Sequence, residues 1–317
     1  TIDMPILYVV LPCYNEEAVL PETTRRLTEK LSSMISSGVC DEKSRILYVD
    51  DGSKDKTWEL IEKFHGENHL VCGVKLAHNR GHQNALLAGL MTAKEHCDCA
   101  ASMDADLQDD INVLDGFMVK FAEGCDVVYG VRSKRTTDTA FKRSTAQGYY
   151  KFMKKLGVDL VYNHADCRLM SKRALEALSD YKEVNLFLRG IVPHIGFKSD
   201  IVYFERAERF AGESKYPLKK MLAFAFDGIT SFSVKPLKLI TSLGIFFTVL
   251  SALGLIAELI VSLCGVAVAS WLLAVSFVWL LGGIQLICLG VAGQYVGKIY
   301  SEVKARPRFL VEKFLGD

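Results

Sequence analysis

The chain has 317 residues, half of them hydrophobic and 24% charged, with a formal net charge of +1. That length exceeds the usual single-domain size, so one core plus an additional segment is expected, and the balanced charge disfavours nucleic acid as a partner, which would call for a basic field. The nine cysteines show neither zinc-ribbon nor thioredoxin spacing, even around Cys97 and Cys99, and read as reduced thiols facing a reducing compartment.

From the N-terminus, the apolar run Ile6–Leu11 is too short for the core of a secretory signal and lacks a basic flank, so it is expected to be a strand. Further short β-branched or apolar runs at Arg45–Val49, Val71–Leu76, Ala100–Met103 and Val127–Val131 alternate with helical stretches. Those helices are expected at Ala18–Ser36, Thr57–Phe64, Gly81–Lys94 and Ile111–Glu123. Alternation of this kind predicts an α/β domain with a mostly parallel sheet, whose ligands bind beyond the carboxyl ends of the strands. Beyond Val131 a basic loop, Arg132–Arg135, leads to an expected helix over Phe141–Leu156, a short helix from Ser171 and a strand at Ile201–Phe204.

Composition shifts near residue 237. Lys215, Lys219 and Lys220 beside Leu218, Met221, Leu222 and Phe224 suit an amphipathic helix lying on a membrane surface, although a packed soluble helix has the same pattern. Between Leu239 and Gly297 the only Asp, Glu, Lys or Arg is Glu258. A bilayer crossing needs about 20 apolar residues, so two spans are expected, at Leu239–Leu259 and Trp271–Val296. Lys235 and Lys238 precede them and Lys298, Lys304, Arg306 and Arg308 follow, so both termini are expected on the cytoplasmic side of the cell membrane. The same basic residues would attract anionic membrane lipids. Gly283, Gly290, Gly293 and Gly297 provide small-residue spacing for close helix contact, within the hairpin or in a homo-oligomer. The expected organisation is a catalytic domain over 1–210, a juxtamembrane helix over 211–236, a two-helix hairpin over 237–297 and a basic tail over 298–317.

Residues suited to chemistry sit at strand ends. Asp104 and Asp106, one residue apart after a strand, can converge on one hard cation such as Mg2+ or Mn2+, and Gln108 lies just beyond. A solvated turn has the same composition. Asp50-Asp51-Gly52-Ser53 could accept hydrogen bonds from a nucleoside, or could form a turn with a helix cap. Pro12-Cys13-Tyr14-Asn15-Glu16 combines a rigid turn with polar groups. His78 and His82, four residues apart, could share a metal on a helix face, but a helix start beside a nucleotide suits Gly81 better. Neither a Walker loop nor a GxGxxG motif is present. Arg206 and Arg209, shortly before the apolar segment, are placed to hold a phosphate in two-pronged fashion.

In order along the chain, Pro12-Cys13-Tyr14-Asn15-Glu16, Val49-Asp50-Asp51-Gly52-Ser53, Asn79-Arg80-Gly81-His82-Gln83-Asn84-Ala85 and Met103-Asp104-Ala105-Asp106-Leu107-Gln108 resemble the motifs of inverting family-2 glycosyltransferases with the GT-A fold. With the two expected spans, the chain looks like the polyprenyl-phosphate branch of that family. The resemblance implies that Pro12, Tyr14, Glu16 and Asp51 contact the nucleotide, and that Asp104, Asp106 and Gln108 hold a divalent metal and the diphosphate. It also implies that Asp166 and Arg168 line the sugar and acceptor site, and that Arg206, Arg209, Ser214 and Lys215 belong to the acceptor-phosphate region.

The implied reaction moves one hexose from a nucleotide-sugar onto a polyprenyl phosphate with inversion. UDP-glucose is favoured as donor, with GDP-mannose, UDP-galactose, UDP-GlcNAc and UDP-4-amino-arabinose as alternatives. Where the family commonly shows a further acid and a glycine, this chain has Asn163 and Ala165. A processive synthase is disfavoured because none of Trp58, Trp271 and Trp279 follows an arginine, as its Gln-x-x-Arg-Trp motif requires. A non-catalytic nucleotide-sugar sensor is the reading from another class, and the intact acidic motifs argue against it.

Overall fold

The computed structural model describes residues 4–132, 164–183, 188–204 and 270–316. In chain order the elements are β1 (Leu7–Cys13), α1 (Leu20–Ser36), β2 (Arg45–Asp50), α2 (Thr57–Glu67), β3 (Val71–Leu76), α3 (His82–Lys94), β4 (Cys99–Ser102), α4 (Val113–Ala122), β5 (Val127–Arg132), β6 (His164–Ser171), α5 (Lys172–Asp180), α6 (Leu188–His194), β7 (Ser199–Phe204), α7 (Ser270–Lys304) and β8 (Val311–Leu315). The chain divides into two units: one holds all of these strands with α1 to α6, and the other holds α7.

The first unit is built on one sheet in the order β7-β5-β6-β4-β1-β2-β3-β8. Its centre is parallel: β1 pairs with both β2 and β4, and β2 pairs with β3. Strands covered on both faces read as unbroken apolar runs, and β1 and β2 are buried along their whole length. A core of Leu7, Val9, Leu11, Leu27, Leu31, Ile46, Tyr48, Phe117 and their neighbours lies against the sheet. Helix α3 crosses the centre closely because residue 89 is glycine. A Cβ there would stand 2.4 Å from Val10 Cγ1 and 2.6 Å from Val49 Cγ2.

The antiparallel strands are the departures from the expected pattern. Strand β6 inserts between β4 and β5, antiparallel to both. Its sequence, His-Ala-Asp-Cys-Arg-Leu-Met-Ser, carries an aspartate and an arginine that mask a strand signal. Ser171 then caps α5 through its side chain, accepting from the Ala174 N–H at 3.1 Å. At the far edge β8 pairs antiparallel with β3, so residues 311–315, within the expected basic tail, form a strand of the sheet.

Among the described residues no helix is long and apolar enough to cross a membrane, so the expected hairpin is not established. The second expected span falls within α7, a single helix of 35 residues that continues to Lys304. The first expected span, the juxtamembrane helix and the helix expected at Phe141–Leu156 lie outside the described residues.

Candidate active site

The parallel registers bring three loops to one end of the sheet. Cys13 lies opposite Asp50, and Val10 opposite Ser102, so the segments after β1, β2 and β4 emerge side by side. The first two are tied together by hydrogen bonds from backbone N–H groups to side-chain oxygens. Asn15 N–H donates to Ser53 Oγ (3.0 Å), Glu16 N–H to Thr57 Oγ1 (2.9 Å) and Lys54 N–H to Asn15 Oδ1 (2.9 Å). Asn15 adopts φ 53°, a left-handed conformation that asparagine tolerates better than most residues. Pro12 is buried within β1, while Tyr14 and Glu16 are partly exposed beside this brace.

Asp51 is almost wholly buried, and its two carboxylate oxygens accept the N–H groups of Arg80 (2.7 Å) and Gly81 (2.9 Å). Burial raises its pKa against these two donors. Gly52 makes the contact possible: its φ is +65°, and a Cβ would fall 2.7 Å from Asn79 N. Asp51 therefore fixes the chain entering α3, and this sets where His82 and Gln83 project. Asp50 is buried as well; Ser53 N–H reaches its Oδ1 at 3.2 Å, and its Oδ2 has no hydrogen-bond partner among the described residues.

After β4 the chain keeps a two-residue alternation. Met103, Ala105 and Leu107 are buried, whereas Asp104, Asp106 and Gln108 are partly exposed on the other side. Thr23 Oγ1 donates to Ala105 O at 2.8 Å and anchors the segment to α1. Leu107 has φ 57°, a costly conformation for a residue with a Cβ, of a kind that concentrates at functional sites. Among the described residues no cluster of three or more His, Cys, Asp or Glu could hold a metal alone. The oxygen donors of Asp104, Asp106 and Gln108 nevertheless fit the habit of Mg2+-like cations, which use one or two carboxylates and take the remaining ligands from substrate phosphates and water.

Strand β6 brings the fourth component. Its antiparallel register sets Arg168 opposite Ser102, and Ser102 Oγ donates to Asp166 O at 2.7 Å. The Asp166 carboxylate meets two guanidinium groups. Arg189 donates Nε to Oδ1 and Nη2 to Oδ2, both at 2.9 Å, and Arg168 donates Nη2 to Oδ1 at 3.2 Å. His82 Nε2 lies 3.8 Å from Asp166 Oδ2 and 3.6 Å from Asp104 Oδ1, bridging the two acids. Burial opposes charge on Asp166, but the Arg189 guanidinium, by its charge and hydrogen bonds, and then Arg168 and His82 hold the carboxyl well below the usual range. Burial lowers the pKa of Arg168, whose side chain is almost fully enclosed and whose Nε has no hydrogen-bond partner among the described residues.

The structure thus gathers Asp104 and Asp166, with Arg168, at one end of the sheet, and places Pro12, Tyr14, Glu16 and Asp51 on the neighbouring strand ends. Arg206, Arg209, Ser214 and Lys215 lie outside the described residues. Two participants were not legible as such. Arg189 is an isolated arginine with no motif around it, and the role of His82 between two acids depends on β6, which local sequence does not signal.

The chain is similar to several known proteins. The family described as glycosyl transferase family 2 matches residues 8–179. An uncharacterised glycosyltransferase of Bacillus subtilis, YkoT, is 56% identical over 308 residues, 97% of this chain and 91% of its own length. A bactoprenol glucosyl transferase of Shigella phage SfII is 36% identical over 312 residues, 96% of this chain and 97% of its own length. Among solved structures, a mannosyltransferase from Pyrobaculum calidifontis in complex with GDP-mannose and Mn2+ is similar at 16% identity and a TM-score of 0.43, over 93% of this chain and 88% of that one.

Proposed function

The chain belongs to glycosyltransferase family 2, and on that premise we propose that it transfers a single hexose from a nucleotide-sugar to a polyprenyl phosphate, with inversion. UDP-glucose is the first donor to test, because relatives at 36% identity are named for glucosyl transfer to bactoprenol. The other UDP-hexoses, the 4-amino-arabinose donor and GDP-mannose follow.

The observation that carries this reading is the state of Asp166. A sugar hydroxyl acceptor needs a base whose pKa lies near the working pH. Asp166 faces the site with both oxygens engaged by Arg189 and with its proton affinity strongly reduced, so it is a poor base. A phosphate monoester, with a second pKa of about 6, is already an anionic nucleophile near neutral pH. The protein's remaining task is to hold two anionic reactants in line.

In this reading the braced loops after β1 and β2 seat the nucleoside. Asp104, Asp106 and Gln108 would hold a divalent cation beside the diphosphate, where it would supply positive charge to balance that of the departing group. Arg206, Arg209, Ser214 and Lys215 receive the acceptor phosphate. Support for a membrane location comes from the uncharged stretch 271–297 and from large apolar side chains exposed along α7, among them Trp271, Val278, Leu289, Val296 and Val303. Both termini and the catalytic unit are then cytoplasmic, as the flanking basic residues favour.

The test is incubation of the full chain with radiolabelled nucleotide-sugars, undecaprenyl phosphate and Mg2+ or Mn2+, scored by lipid-extractable label. One sugar per lipid is expected, with Asp104→Ala and Asp106→Ala each reducing label at least about 100-fold, as expected when transition-state charge loses its stabilisation. Label in a polymer, or full transfer by both variants, would contradict the assignment.

A further inference from the structure

Helix α6 has no counterpart among the sequence motifs, yet it meets the site at three points. Arg189 grips Asp166 with two parallel hydrogen bonds of 2.9 Å. One residue earlier, Leu188 N–H donates to Gln83 Oε1 of α3 at 2.9 Å. The Leu188 carbonyl accepts from Arg168 Nη1 of β6 at 3.4 Å. The first turn of α6 is therefore latched to the helix that carries His82 and to the strand that carries Asp166. Apolar packing adds to the latch, since Leu188, Ile191 and Val192 are buried.

We propose that Arg189 is a positioning residue for sugar transfer: through α6 it fixes the Asp166 carboxylate in one orientation, facing His82 and, beyond it, Asp104. The planar guanidinium suits this task because two-pronged contact fixes a carboxylate in its plane, which a lysine ammonium cannot do. Without it Asp166 keeps, among the described residues, one side-chain hydrogen bond from Arg168 and the His82 ring at 3.8 Å, and its carboxylate is no longer held in one plane. Gln83 supports the latch from the other side by holding the backbone that delivers Arg189.

The proposal rests on the reaction proposed above, and its test separates the two. Steady-state transfer is measured for wild type, Arg189→Ala and Arg189→Lys, and backbone hydrogen exchange is followed over residues 188–194 in each. Arg189→Ala should lower kcat about 100-fold, the scale expected for a misplaced site group, with KM for the nucleotide-sugar unchanged. Guanidinium ion added to Arg189→Ala at non-denaturing concentration should restore part of kcat, and Arg189→Lys should fall between the two. Exchange protection of α6 should be lost in Arg189→Ala. Wild-type kcat in Arg189→Ala, equal damage to kcat and KM without rescue, or unchanged exchange protection would each overturn the proposal. If the wild-type protein forms no lipid-linked sugar, the functional reading fails, and the exchange measurement alone then decides whether the latch exists.

Discussion

At the scale of single residues, the site is defined by how carboxylates are housed. Asp166 is partly exposed and ionised because two arginines stand against it, whereas Asp50 is buried with one oxygen lacking a hydrogen-bond partner among the described residues. Burial therefore raises the pKa of Asp50, with the Ser53 hydrogen bonds opposing it. The folded state then holds this proton more tightly than the unfolded chain, whose aspartate pKa is about 3.9. Its contribution to stability is complete below that pH and is lost as pH rises through the folded value. Asp50→Asn removes this dependence, so the melting temperature of the variant relative to wild type should climb from about pH 4 towards neutrality. A constant offset across that range would contradict the assignment. Asp166 has the opposite sign: its contribution is present above about pH 4 and is lost as pH falls through its depressed folded value. The paired acids Asp104 and Asp106 were legible from the sequence because they follow an apolar strand and keep its alternation. The backbone engagement of Asp51 was not, since it depends on a loop 29 residues further along the chain.

Among the elements, what repeats locally was readable and what pairs at a distance was not. Strands β1 to β5 and helices α1 to α4 follow from β-branched runs and helical periods, and β3 falls at the expected residues, Val71–Leu76. Strand β6 was missed because its buried positions include Arg168 and Cys167 beside a partly exposed Asp166, and only pairing with both β4 and β5 makes it a strand. Strand β8 is mostly exposed and has little apolar alternation, so its place against β3 is set by side-chain contacts to that strand and to the loop before β4. These include Lys75 with Glu312 at 3.2 Å and the stacking of Phe314 on His96. The contact of α3 with the sheet yields a direct prediction. Gly89→Ala places a methyl group against Val10 and Val49 at distances real contacts do not reach, and overpacking of this kind costs about 1–3 kcal/mol. Urea denaturation should show that loss, and Val10→Ala in the same chain should recover part of it. Full stability of the single variant would mean that α3 sits further from the sheet.

For the whole molecule, the chain builds most of one unit, passes through the other, and returns to finish the first. The segment from residue 305 to the end rejoins the sheet unit after α7, and β8 closes its edge. Arg308 Nη2 donates to Tyr181 O at 2.6 Å, so the returning segment also touches the exit of α5. The sequence revealed the uncharged stretch through its composition, but the return of the last residues to the sheet has no compositional mark. Family membership follows from the matched length and the relatives, while the acceptor is inferred from the chemistry of the site. That inference is tested most directly by offering the enzyme two acceptors that differ in one group, undecaprenyl phosphate and undecaprenol, with the same labelled nucleotide-sugar. Transfer to the phosphate and none to the alcohol is the predicted result. Equal transfer to both would mean that the site removes a proton from its acceptor, which contradicts an Asp166 whose proton affinity is held low by Arg189.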